Sequence, residues 1–241
     1  LITHTQWMQN WQGEYLYSPS EMFQARDILR DYNINAHSIH ASEGGVRTKT
    51  VNGKVIYDNR YRFTDIRKDY TSKNEYARLA GVDLLKNRID LCTHIGASVM
   101  VLHMQLPFML FEEQPEEKDI YYRQVMKSFD EIKDYAVASG VRIALENLIC
   151  TPQKYQEEQF DMFFDRYPSE FLGFCWDSGH ATLMCRENHY HFLEKYISRL
   201  YATHLQDNES ITDELLYAAD PVDADYNVLK YARVPAESEK L

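Results

Sequence analysis

The sequence predicts an α/β fold, a (β/α)8 TIM barrel, and three observations carry that expectation. Apolar strand-like runs alternate with stretches of helical periodicity, about six strands before Asn208, and parallel neighbours need such crossovers. Nearly every strand-like run ends in a polar group: His40, His103, Glu146, Asp177 and His204. A closed barrel gathers all its strand ends around one cavity, whereas an open doubly wound sheet uses only its switch point. Finally, the chain carries neither a G-x-G-x-x-G nor a P-loop pattern, which counts against a nucleotide-cradling sheet.

Composition sets the outer limits. A chain of 241 residues, 44% hydrophobic, can bury one sizeable core, so residues 1–241 are expected to form a single barrel domain. The net charge of −11 repels polyanions and argues against a nucleic-acid partner. Four scattered cysteines, Cys92, Cys150, Cys175 and Cys185, form no C-x-x-C pair, the usage of a reduced intracellular protein. There is no run of about 18 apolar residues and no basic-then-apolar leader. A cytoplasmic protein without membrane contact is the expectation, although the chain opens at Leu1 rather than Met.

Leu1-Ile2-Thr3-His4 reads as the last residues of a strand, with His4 at its mouth. In Ser18-Pro19-Ser20-Glu21 the serine is placed to cap a helix, with proline at its first position and glutamate at its third, and that helix runs to about Tyr32. Ile34–Ala41 alternates as a strand does. Because His37 and His40 are three residues apart, they take opposite faces, and His40 is the expected inward one. The polar connection from Glu43 to about Lys73 carries Asn52-Gly53 between β-formers, the signal of a hairpin with a type I′ turn. Its basic residues, Arg47, Lys49, Lys54, Arg60, Arg62, Arg67 and Lys68, fit either a lid over an anionic or hydroxyl-rich ligand or a solvated hairpin.

Leu79, Val82, Leu85, Ile89 and Cys92 recur at helical spacing before Gly96, which is placed to end that helix. Ser98–Met104 is then a strand, Tyr121–Ala138 a helix, Val141–Leu148 a strand and Gln156–Arg166 a helix. Leu172–Leu183 (L-G-F-C-W-D-S-G-H-A-T-L) is an apolar strand stopping at Asp177 and His180. His189–Arg199 and Leu200–Asn208 complete the alternation as helix and strand.

Glu146, Asp177 and His204 offer carboxylate oxygens and an imidazole, a set suited to Mn2+, Mg2+, Co2+ or Zn2+ rather than to a metal that prefers thiolates. Taken singly, a strand-end carboxylate commonly accepts loop hydrogen bonds, and a lone histidine is more often a satisfied core residue than a ligand. Several buried charges on one cavity, however, need a cation or one another. His4, His37, His94, His189 and His191 are weaker candidates, and Trp7, Trp11 and Trp176 are either cavity walls or ordinary core.

Five segments taken together resemble the xylose-isomerase-like barrels, which include sugar (phosphate) isomerases and epimerases and the endonuclease IV enzymes. They are S-I-H-A-S at His40, G-A-S-V-M-V-L-H at His103, I-A-L-E-N-L at Glu146, C-W-D-S-G-H-A at Asp177 and His180, and T-H-L-Q-D-N at His204. The resemblance implies that Glu146, Asp177 and His204 bind a divalent metal. It also implies a fourth ligand, a glutamate on the last strand. The resemblance further implies a first strand before Leu1 and a longer region after strand 7, where E-S-I-T here passes to D-E-L-L-Y-A-A-D within a few residues, so both are expected to be missing. Glu214-Leu215-Leu216-Tyr217 resembles the end of that last strand, which makes Glu214 the expected fourth ligand.

The activity implied is that of a metal-dependent isomerase or epimerase acting on a sugar or sugar phosphate through an enediolate, in a chain that could be a homo-oligomer. Glu146 and Glu214 would move the proton, and His180, His103 and His40 would contact the substrate. Opposite-face carboxylates give epimerisation, and same-face return gives isomerisation. The rivals are an endonuclease IV-like zinc phosphodiesterase, a non-catalytic sugar-binding barrel and, within the same chemistry, a dehydratase acting on a cyclic polyol.

Overall fold

The computed structural model describes residues 2–8, 13–41, 48–51, 54–57, 67–104, 106–148, 151–185 and 188–207. Its main sheet has six parallel strands in the order β1 (His4–Met8), β2 (Asn35–His40), β5 (Val99–Leu102), β6 (Arg142–Glu146), β7 (Leu172–Asp177) and β8 (Leu200–His204). They curl into a half-barrel, the architecture of a partial TIM barrel. β3 (Thr48–Val51) and β4 (Lys54–Tyr57) pair antiparallel, with Val51 opposite Lys54. That is the expected hairpin, although its Asn52-Gly53 turn lies outside the described residues. Of the basic residues on this connection, Arg47, Arg60 and Arg62 also lie outside them.

The helices form where their ends are marked. α1 (Pro19–Asp31) starts at the expected capping box: Ser18 and Glu21 each satisfy the other's backbone N–H. α2 (Glu75–Ile95) is capped by Asn74 and closed by Gly96 at φ 79°, a left-handed conformation that glycine adopts without a Cβ clash. α4 (Pro115–Ala138) begins a turn and a half earlier than the hydrophobic spacing suggests. Pro115 and two first-turn acids start it without any side-chain cap, so the usual cap signal is missing. α3 (Phe108–Glu113) was not legible for the same reason. α5 (Gln153–Arg166) likewise starts early, behind Pro152. α6 (Ser178–Cys185) follows β7 without a loop, and α7 (His191–Tyr196) tightens into a 3-10 turn at Ile197–Arg199. Among the described residues, no helix is long and apolar enough to cross a membrane.

Most of the apolar burial lies between sheet and helices. Phe129, Phe160, Phe163, Phe171 and Phe174 are almost wholly buried, and their rings meet edge-on or tilted, with Phe129–Phe163 centroids 5.5 Å apart. Each such side chain contributes on the order of 1.5–3 kcal/mol through burial, and each ring pair about 0.5–1.5 kcal/mol more. The inner face carries a separate, smaller cluster: Val99, Val101, Ala144, Cys175 and Ala202. Small side chains suit the concave side of a tightly curled sheet.

Strand placement decides one open alternative and corrects one expectation. Trp176 is one residue out of phase with Cys175 and Asp177, so it joins the helix-facing core and stacks on Tyr190 rather than walling the cavity. Trp7 packs against that same core, and Trp11 lies outside the described residues. His4 is the first residue of β1, not the last, so it sits at the amino end of the sheet, away from the mouth. The strand begins later than the apolar Leu1-Ile2 suggested because its pairing partner, β2, sets the register, with His4 opposite Asn35.

Candidate active site

In the main sheet, the inner face of each strand after β1 leads to a titratable group at its carboxyl end. Period-two alternation places Ser38 and His40, Ala144 and Glu146, Cys175 and Asp177, and Ala202 and His204 on one side. His103 follows directly after β5. Two register shifts adjust this set, one within β1/β2 and one where Phe174 pairs Leu200 but Cys175 pairs Ala202. The second leaves Tyr201 as an extra residue against Gly173, where a Cβ would stand 2.1 Å from the tyrosine ring. Bulges of this kind re-aim side chains beside functional sites.

Glu146 is the centre of the arrangement. Its Oε2 accepts from His103 Nε2 at 2.9 Å and lies 3.6 Å from His40 Nε2. Its Oε1 lies 3.2 Å from His180 Nδ1 and 3.1 Å from His204 Nδ1. The Nε2 atoms of His40 and His103 are 3.2 Å apart. Asp177 joins from the other side: its Oδ2 is 3.7 Å from His204 Nδ1, and its Oδ1 accepts the His180 backbone N–H at 2.7 Å. The structure therefore brings together His40, His103, Glu146, Asp177, His180 and His204. His37 is solvent-exposed, on the face opposite His40, as its spacing requires. Glu214 lies outside the described residues.

Burial decides the electrostatics. Glu146 and Asp177 are 3% and 0% exposed. Burial alone would push the Glu146 carboxyl up, but the charge and hydrogen bond of His103, with hydrogen bonds from His180 and His204, hold it well below the usual carboxylate range. For His204, burial opposes protonation, yet Asp177, Cys175 and Glu146 outweigh it and push the imidazole up to about 12. His180 is raised in the same way: burial lowers it, and Glu146 and Asp177 more than compensate. His40 goes the other way, because burial and the neighbouring His103 outweigh Glu146. The carboxylates thus favour the protonated forms of His180 and His204, but not of His40.

The donor set fits a divalent ion. Ligands bound at about 2.0–2.2 Å in adjacent positions stand roughly 3.0–3.5 Å apart. Glu146 Oε1, His204 Nδ1 and Asp177 Oδ2 are spaced at 3.1 and 3.7 Å about the histidine nitrogen. Among the described residues, three groups of donors lie close enough together to hold an ion, and all share Glu146: with Asp177 and His180, with His40 and His103, and with Cys175 and His204. Burial pushes the Cys175 thiol up to about 11, which leaves it a poor ligand beside oxygen and nitrogen donors.

Three residues that the sequence reading did not single out complete the site. The Asn147 carboxamide donates to Asp177 O at 2.9 Å and accepts Asp177 N–H at 2.8 Å. Gln206 Nε2 donates to Asp177 Oδ2 at 2.5 Å. Ser178 Oγ donates to Gln206 O at 2.7 Å and accepts its N–H at 2.8 Å. The available signal was positional: Asn147 directly follows a strand-end glutamate, and Gln206 is two residues past a strand-end histidine.

The fold agrees with the comparisons. The sequence matches the family model of the xylose isomerase-like TIM barrel over residues 6–228, and the chain belongs to that family. It is 31% identical over 221 residues to the uncharacterized protein y4fM of Sinorhizobium fredii (strain NBRC 101917 / NGR234), covering 91% of this chain and 69% of that one. Among solved structures, a D-tagatose 3-epimerase-like protein superposes with a TM-score of 0.56 at 20% identity, over 88% of this chain and 73% of that one. The 3-keto-D-glucoside 4-epimerase YcjR from E. coli superposes with a TM-score of 0.55 at 13% identity, over 97% and 99%. These structural likenesses establish the shared fold.

Proposed function

We propose that the protein is a divalent-metal-dependent sugar or sugar-phosphate epimerase or isomerase. One observation carries this reading: at the mouth of the half-barrel Glu146 and Asp177 lie close enough to His180 to hold an ion together, with His204 Nδ1 3.1 Å from Glu146 Oε1 and 3.7 Å from Asp177 Oδ2. Epimerases acting on sugars share the fold, which supports the substrate class by analogy.

Glu146, Asp177 and His204 would hold the ion, with Glu214 as the fourth ligand. A bound divalent cation supplies Lewis acidity that favours negative charge on adjacent substrate oxygens. The chain's own groups do the rest. Glu146, kept ionised by its histidine neighbours, takes the proton from the carbon beside the carbonyl. Glu214 is assigned the return, and its face relative to Glu146 decides between epimerisation and isomerisation. His180, with Nδ1 engaged by Asn147 O at 2.8 Å, presents its other nitrogen to a substrate hydroxyl. His103 and His40, in contact with each other and with Glu146 Oε2, contact the substrate and orient that carboxylate.

The test is a screen of ketoses and their phosphates in deuterated solvent with Mn2+, Mg2+, Co2+ or Zn2+ supplied. Metal-dependent deuterium at the carbon beside the carbonyl is expected. Absence of exchange with every sugar despite bound metal would defeat the proposal.

A second reading, a zinc phosphodiesterase of the endonuclease IV type, is favoured by one feature: His40 and His103 form a possible metal group with Glu146, which also belongs to the possible group with Asp177 and His180. The net charge of −11 opposes approach to DNA. More than one zinc per chain together with cleavage of abasic DNA would establish it in place of the first.

A further inference from the structure

The regular hydrogen-bond ladder between β6 and β7 ends at the pair Glu146–Cys175. One step further, Asp177 still has β8 on one side, with His204 opposite it, but β6 has ended on the other side, where its buried backbone N–H and C=O meet no strand. An unmade hydrogen bond there costs on the order of 1–3 kcal/mol per group. The Asn147 side chain meets both groups, accepting at 2.8 Å and donating at 2.9 Å, as a peptide of a neighbouring strand would. Asn147 is itself 1% exposed, so water does not substitute for it.

The same residue acts through its main chain. Asn147 O lies 2.8 Å from His180 Nδ1. Among the described residues, Glu146 Oε1 at 3.2 Å and Asp177 Oδ2 at 3.8 Å also lie near that nitrogen. All three are oxygens that only accept, so Nδ1 carries the hydrogen. The next residue is pinned as well: Gln156 of α5, 2% exposed, accepts Leu148 N–H at 2.7 Å and donates to Leu148 O at 3.0 Å and Thr151 O at 2.7 Å. The Asn147 carbonyl is thereby held between two buried carboxamides.

We infer that Asn147 is the positioning residue of the site: its side chain sets the separation of Glu146 from Asp177, and its carbonyl fixes His180 as the Nδ1–H tautomer, leaving Nε2 for a ligand. This rests on the functional reading above for its catalytic meaning, but not for its geometry. Partners at this remove from a metal typically alter affinity 10–100-fold.

The test combines two measurements on the full chain. Long-range proton–nitrogen NMR of the metal-free protein, above the titration of the ring, reports the His180 tautomer. Co2+ titration reports affinity. Wild type is expected to show Nδ1–H alone. Asn147→Ala and Asn147→Asp are expected to mix the tautomers and to bind Co2+ 10–100-fold more weakly. Phe163→Leu, a helix-facing core change that lowers stability without touching the mouth, is expected to leave both unchanged. An Nε2–H tautomer in wild type overturns the inference without any substitution, and so does an unchanged tautomer in the two Asn147 variants. If wild type takes up no Co2+, the metal-dependent function falls, and the tautomer still decides the role of Asn147.

Discussion

The two faces of the sheet are built on opposite principles. Toward the helices, Phe160, Phe163, Phe171 and Phe174 are buried among other aromatics and ask nothing of their surroundings but contact. Toward the inside, Val101, Ala144, Cys175 and Ala202 give way, at the carboxyl ends of the strands, to His40, Glu146, Asp177 and His204. Buried charges of this density stabilise a fold poorly and are destabilising when one partner is lost. The comparison teaches that the outer layer supplies stability, which lets the inner rim keep groups arranged for chemistry.

Substitutions on each face should therefore separate activity from stability. The largest effect is expected for Glu146→Gln, which removes the carboxylate shared by four histidines. Deuterium exchange into the substrate should fall by about 10²–10⁴-fold, measured at saturating metal. On the other face, Phe163→Ala should lower unfolding free energy by about 3–5 kcal/mol in urea titrations, while the folded fraction keeps its metal affinity. Equal loss of affinity in Phe163→Ala would show that the two faces are not separable in this way.

A smaller effect tests the rim of the outer layer, where Asp161 on α5 accepts from Lys195 at 2.8 Å and from Tyr196 at 2.8 Å. Partial burial would raise the Asp161 carboxyl, but these partners hold it below its ordinary value. A depressed carboxylate contributes stability above its unfolded value, about pH 4, and loses that contribution as pH falls through the folded one. Half-exposed as it is, the group is screened, and its contribution should stay under about 1 kcal/mol. Asp161→Asn should flatten the acid limb of the stability profile slightly and leave exchange activity untouched.

Much of this contrast is legible in the sequence because it depends on periods of two and 3.6. The spacing of Leu79, Val82, Leu85, Ile89 and Cys92 marks α2, and the polar terminus of each apolar run marks the rim. The polar residues that hold the rim are less visible. Asn147, Gln156 and Gln206 act by meeting backbone or carboxylate groups of other elements, and neither periodicity nor composition encodes such long-range pairing. Composition leaves Trp176 open between cavity wall and core, and strand alternation decides for the core. His4 was misplaced because strand register is set by the partner β2 rather than by the apolar residues before it.

The central claim is that the strand ends form one divalent-metal site. Co2+ absorption titrations of wild type, Asp177→Asn and His204→Asn test it most directly, since each substitution replaces one donor with a weaker, uncharged carboxamide. The account predicts a saturable visible spectrum for wild type, with affinity reduced at least about tenfold in each variant and falling further as pH drops and the ligands take up protons. Identical Co2+ spectra and affinities in all three proteins would contradict it.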